Sequence, residues 1–185
     1  MTQVGGVEIL EGWNDLKSSF STGRLVGANT PTDAVFTDTI RAYNFSAAAM
    51  EEIHMPPLHV EHDYKPGSKI YFHIHWSPGD TNAGIVRWGI EYTIAKGHSQ
   101  MAFQASTTVY LEQAGSGTAK QHQIIEDTTG VSTNIEPDSL ILARVFRDGA
   151  HANDTYTGVA WGHFMDIHYQ SDRKNTVNKA PNFYG

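Results

Sequence analysis

An all-β fold, an antiparallel sandwich of the jelly-roll kind, is what this sequence predicts. Three observations lead there. Short segments alternate apolar and polar residues with period two, clusters of Gly, Pro, Ser, Asn and Asp separate them, and helical periodicity is nearly absent. The clearest segment is 69–76, where Ile70, Phe72, Ile74 and Trp76 share one face and Lys69, Tyr71, His73 and His75 the other. A turn cluster at 77–82 and a second alternating segment at 86–94 follow, so the pair reads as a β-hairpin.

Taken in order, residues 1–40 are rich in turn formers, with Gly5, Gly6, Gly12, Gly23, Gly27 and Pro31 among serines and threonines. They predict an extended N-terminal arm or an irregular lobe carrying at most short strands at 7–10 and 35–40. Residues 41–170 hold the sandwich. Strands are expected at 42–45, 51–55, 69–76, 86–94, 107–111, 121–125, 139–147 and 155–169, the last bent or bulged near Gly162. Residues 46–52 are the one short helical candidate. Residues 171–185 read as a tail whose Phe183 and Tyr184 dock on a neighbour.

With 185 residues, 11% aromatic and 18% charged, the chain has material for one domain with a real core. It contains no cysteine, which excludes disulfides, thiolate metal sites and a cysteine nucleophile. The net charge is −7 and the 13 basic residues are scattered, so the basic footprint of a nucleic-acid binder is missing. No signal peptide is read in MTQVGGVEILEGW, and no apolar run has the length of a membrane span. Phosphate-cradling loops, nucleophile elbows, His-Glu-x-x-His and EF-hand patterns are likewise missing.

Ten histidines without a cysteine call for a test of metal chemistry. His73 and His75, two apart on a strand, project from one face as a chelating pair does. With Gly67 before them and Asp80 after, residues 67–80 resemble the first motif of the cupin superfamily, which implies a metal site formed by His73, His75 and Asp80. The match departs from the pattern in three places. Asp80 stands where Glu is expected, Arg87 where the closing glycine belongs, and neither His151 nor His163 has the Pro-x-Gly setting of the second motif. Asp80 also sits in Pro-Gly-Asp-Thr-Asn, where a turn-forming aspartate is the ordinary explanation.

A second cluster lies at 161–169. In a regular strand Asp166 and His168 share a face and His163 takes the opposite one, so Asp-x-His can supply two ligands or orient a base. His54, His59 and His62 show no metal spacing and read as surface or interface residues.

An ordered series extends over 41–170. It comprises Glu51-Glu52, Leu58-His59-Val60-Glu61-His62-Asp63-Tyr64, His73-Ile74-His75-Trp76, Val86-Arg87-Trp88 with Glu91-Tyr92, Asp154-Thr155-Tyr156 and Asp166-Ile167-His168-Tyr169. It resembles small structural virion proteins of tailed bacteriophages, of the capsid decoration (cement) or head–tail type. That resemblance implies a non-enzymatic protein with no catalytic residue and no cofactor, made in the host cytoplasm and carried on the virion. Its partners would be the major capsid protein or other virion proteins, with a homo-oligomer, a trimer by preference, and neither nucleic acid nor membrane. The alternatives are a cupin-like metalloenzyme using His73 and His75, and a collar or tail adaptor or receptor-binding module.

Overall fold

The computed structural model describes residues 11–132, 134–172 and 175–185. Among them are eleven strands, one turn of 3-10 helix at Phe20–Thr22 and no α-helix. β1 (Gly12–Ser19), β2 (Thr32–Thr37), β3 (Ile40–Phe45), β6 (Ile70–Pro78), β9 (Gln123–Glu126) and β11 (Ala160–Ser171) make the first sheet. β4 (Met50–His54), β5 (Leu58–His59), β7 (Ile85–Ala95), β8 (Thr107–Ala114) and β10 (Leu140–Asp148) make the second. The first runs β2-β3-β11-β6-β9, with β1 beside β11, and the second β4-β10-β7-β8, with β5 beside β10. Every pairing is antiparallel. The protein is the all-β, two-sheet sandwich that its alternation predicts. No described helix is long and apolar enough to cross a membrane.

The core forms where the two apolar faces meet. Ile70, Phe72, Ile74 and Trp76 of β6 and Val86, Trp88 and Ile90 of β7 are fully buried. Trp88 packs edge-on to Phe45 at 5.0 Å and to Trp76 at 6.3 Å between ring centroids. Edge-to-face pairs of this kind add about 0.5–1.5 kcal/mol each beyond the area they bury. The indole N–H of Trp76 donates to Gln113 Oε1 at 2.7 Å, so the core gains the ring without stranding its polar atom.

Several expectations change in the folded chain. Segments 69–76 and 86–94 are not a hairpin: β6 lies in the first sheet and β7 in the second, and the 79–84 turn carries the chain across the sandwich. Both strands need their apolar faces covered, and facing each other across the core does this, whereas pairing side by side does not.

Residues 12–19, expected within an arm, form β1 and pair along their whole length with β11, Gly12 opposite Ser171 and Ser19 opposite Phe164. Only Leu16 and Ser18 of β1 are buried, so the sequence alternation was too sparse to see, and the ladder supplies the order. The 7–10 strand expected there falls outside the described residues.

Residues 46–52 are not helical. The chain bends and enters β4, which pairs with β10, and the Ser46 N–H donates to the Glu51 carboxylate at 2.6 Å. Lastly, Phe183 of the tail packs on this chain's own His62 and His98 rings, at 6.0 and 5.3 Å, and Tyr184 donates to the Tyr64 carbonyl at 3.3 Å.

The strand expected at 155–169 begins at Ala160 because residues 154–158 are held otherwise. Arg147 at the end of β10 is fully buried, and its guanidinium grips Asp154 through two bonds of 2.9 and 2.7 Å. It also donates to the carbonyls of Phe45 at 3.0 Å, Gly158 at 2.7 Å, and Tyr156. A bidentate pair with its remaining donors on backbone carbonyls meets the condition under which a buried ion pair is tolerated.

Candidate functional site

The outward face of the first sheet carries the chemistry. On β6, Tyr71, His73, His75 and Ser77 project away from the core, and the ladder sets Asp166 opposite His73, Phe164 opposite His75 and His168 opposite Tyr71. On the far side of β6, Glu126 pairs with His73 and Ile124 with His75. On the far side of β11, Asp15 pairs with His168. Two motifs that are separate in sequence, His73-x-His75 and Asp166-x-His168, thus become one constellation.

Its centre is the Asp166 carboxylate, only 3% exposed. Oδ1 lies 3.7 Å from His73 Nδ1 and 3.5 Å from His75 Nε2, and Oδ2 lies 3.9 Å from His168 Nε2. These exceed hydrogen-bond lengths, and Asp166 Oδ1 and His73 Nε2 are buried without a hydrogen-bond partner. Glu126 Oε1 approaches His73 Nε2 to 2.9 Å, but the directions do not make a hydrogen bond. His168 Nε2 is 2.9 Å from Asp15 Oδ1, and the rings of His73 and His168 stand edge to face at 3.6 Å.

A bulge widens the constellation. The β11–β6 register shifts between Gly162 and Phe164, so His163 and Phe164 together face His75. The regular-strand expectation that His163 faces away from Asp166 and His168 is therefore corrected: the extra residue turns it to their side. There His163 Nε2 meets Ser77 Oγ at 2.9 Å, its ring packs on Phe36 at 5.1 Å, and Phe164 stacks on His75 at 3.8 Å. Gly162 allows this because a Cβ there would lie 2.3 Å from Phe20 Cε2. Burial, and then the charges of His122 and His75, push the His163 pKa down to about 4.

Of the three residues in the expected cupin ligand set, the fold brings together His73 and His75 and leaves Asp80 elsewhere. Asp80 Oδ1 accepts from the Asn82 N–H at 2.9 Å and from the Tyr156 hydroxyl at 2.9 Å, as a turn aspartate does. The carboxylate between the two imidazoles is Asp166. His151 lies in a turn, its Nδ1 accepting from the Asn153 N–H at 3.1 Å. The sequence reading missed Asp15, Glu126 and His122, whose Nε2 is 2.8 Å from His75 Nδ1. Residues 122 and 124 share a parity on the expected 121–125 strand and 126 continues it one step past that strand's end, and that parity was the available signal.

Above the constellation lies a cleft of about 510 Å³ lined by Trp13, Tyr71, Glu126, Thr128 and His168. Trp13 is 57% exposed and stands edge-on to Tyr71 at 5.5 Å.

A second histidine group surrounds Asp138. His59 Nε2 lies 2.9 Å and His62 Nε2 3.3 Å from Oδ1, and His98 Nε2 lies 2.7 Å from Oδ2. Burial raises the pKa of Asp138, but the His98 hydrogen bond and the nearby His62 and His59 outweigh it and hold the carboxyl below its ordinary value. His59 and His62, read from sequence as surface residues, are thus tied to one carboxylate, and Phe183 covers His62 and His98.

No protein-family model and no curated protein matches this chain. Among solved structures it is similar to a CBM35 from Cellvibrio japonicus Abf62, at 11% identity and a TM-score of 0.45, over 83% of this chain and 92% of that one. It is also similar to the CBM36-1 domain of a multidomain xylanase from the hindgut metagenome of Trinervitermes trinervoides. That likeness has 8% identity and a TM-score of 0.46, over 83% of this chain and 96% of that one. Likeness at this level carries no function across.

Proposed function

We propose that this protein is a non-enzymatic structural component of a tailed-phage virion, a capsid decoration protein that docks on the major capsid protein as a homo-oligomer. The sequence resemblance over 41–170 suggests the role, and one structural observation supports docking. β2 pairs with β3 alone among the described strands, so its outer edge offers backbone N–H and C=O groups to a partner. Val35 on β2 and Ile40 at the start of its partner β3 are 52% and 61% exposed, while Asp33 and Arg41 neutralise each other at 3.1 Å. Edges left so open are places where another chain adds a strand. On a symmetric shell, weak contacts of this kind are multiplied.

The test is a mass-spectrometric inventory of purified virions, followed by rebinding of the recombinant chain to particles stripped of it. The expected result is stoichiometric recovery with the capsid protein and loss of rebinding in a Val35→Asp/Ile40→Asp variant that still folds. Absence from the particle would overturn the reading.

The cleft walled by Trp13 and Tyr71 favours a second reading, a receptor-binding module whose aromatic side chains meet a sugar face. Glycan-array binding that is lost in Trp13→Ala distinguishes it.

A further inference from the structure

The structure assigns a divalent-cation site to the outer face of the first sheet, with His73, Asp166 and His168 as its protein ligands. This inference does not depend on the virion role. One ligand atom from each of the three lies within 4.8 Å of the other two. Imidazole nitrogens with a carboxylate oxygen are a donor set for borderline first-row cations, Zn²⁺ above all, rather than for Ca²⁺ or Mg²⁺.

The separations support this. In a tetrahedral zinc site with bonds of 2.0–2.1 Å, neighbouring ligand atoms stand about 3.3–3.4 Å apart. Asp166 Oδ1 stands 3.7 Å from His73 Nδ1, slightly wider than that spacing and too far for a hydrogen bond, and one His168 nitrogen lies within 4.8 Å of both residues' ligand atoms. Without an ion the arrangement is costly. A buried carboxylate oxygen and a buried imidazole nitrogen that lack hydrogen-bond partners lose about 1–3 kcal/mol each in desolvation. An ion bound by Asp166 Oδ1 removes that oxygen's share of the cost; the bare His73 nitrogen is Nε2, on the Glu126 side of the ring.

The surroundings fit as well. Asp15 Oδ1, 2.9 Å from His168 Nε2, holds that ring by a carboxylate and leaves Nδ1 as the nitrogen for the ion, the arrangement that fixes metal-binding imidazoles. Glu126 approaches both His73 and His168, at 2.9 and 3.8 Å, and brings the negative charge a dication needs. The three ligands come from two neighbouring strands of a continuous ladder, so the backbone holds them in place before any ion arrives. The Asp138 group differs: its carboxylate is already within hydrogen-bonding reach of His59 and His98.

The test uses the full, untagged chain, stripped with chelator and titrated with Zn²⁺ by calorimetry and with Co²⁺ by visible absorption. One ion per chain is expected, with cobalt bands in the tetrahedral range and a higher melting temperature with Zn²⁺. His168→Gln, at a partly exposed position that leaves the core intact, should weaken binding by at least about 100-fold, and Asp166→Asn likewise. His98→Ala should leave the affinity unchanged. Absence of binding in the parent chain, or binding lost in His98→Ala but kept in His168→Gln, overturns the assignment. Circular dichroism of each variant separates loss of a ligand from loss of the fold.

Discussion

Asp154 and Asp166 are both withdrawn from water, yet their surroundings are opposite. Asp154 receives two bonds from Arg147 and one from the Arg87 N–H at 3.0 Å, and the rest of the Arg147 guanidinium is spent on carbonyls. Its charge is answered within the chain. Asp166 has imidazoles on several sides at distances too long for a hydrogen bond, and no arginine or lysine is paired with it among the described ion pairs. The first network closes on itself and locks the 154–158 loop against β10 and β3, which is a structural task. The second leaves donor atoms pointing at one another, and such a remainder marks a ligand site.

The largest effect should come from opening the closed network. Asp154→Ala strands the Arg147 charge in the core and should cost about 3–5 kcal/mol in urea unfolding. A loss below 1 kcal/mol would erase the contrast. Next, in the presence of chelator, Asp166→Leu should raise stability by about 1–3 kcal/mol, because it removes a buried oxygen without a partner and adds apolar volume. Destabilisation there under metal-free conditions would mean that Asp166 is satisfied after all.

A smaller effect is expected on the outer face of the second sheet. There Arg144 binds Glu91 at 2.6 Å, pairs also with Glu52, and lies over Phe146 at 5.1 Å, all partly in solvent. Arg144→Met should cost no more than about 1 kcal/mol, read as a shift in the urea midpoint with an unchanged slope.

The subtlest is a pH slope. His163 has its pKa lowered from 6.5 to about 4, so its neutral form is the one the fold favours. Its contribution is complete above pH 6.5 and is lost as pH falls through about 4. The groups that face it are His75 of β6 and His122, just before β9. Unfolding free energies measured from pH 7.5 to 4.5 should therefore fall more steeply in the parent chain than in His163→Gln.

How much of this was legible before folding differs by element. β6 and β7 were plain, because large residues at every second position leave no other regular reading. β1 was not, since one inward leucine and one inward serine make no pattern, and its order comes from the β11 ladder. At the site, His73 with His75 and Asp166 with His168 were each visible as pairs on a strand face. Their union was not, because it depends on which strands become neighbours. Asp80, nearer to the histidines in sequence, was the wrong carboxylate for the same reason.

The sequence by itself determined the sandwich, its core residues and the two histidine pairs, because strand periodicity is a local property written every second residue. The tertiary structure alone decided that β6 and β7 face each other instead of pairing, that β11 lies beside β6, and that one bulge turns His163 to the histidine-rich side. Those choices depend on how two apolar faces can both be covered, which is a property of the whole chain.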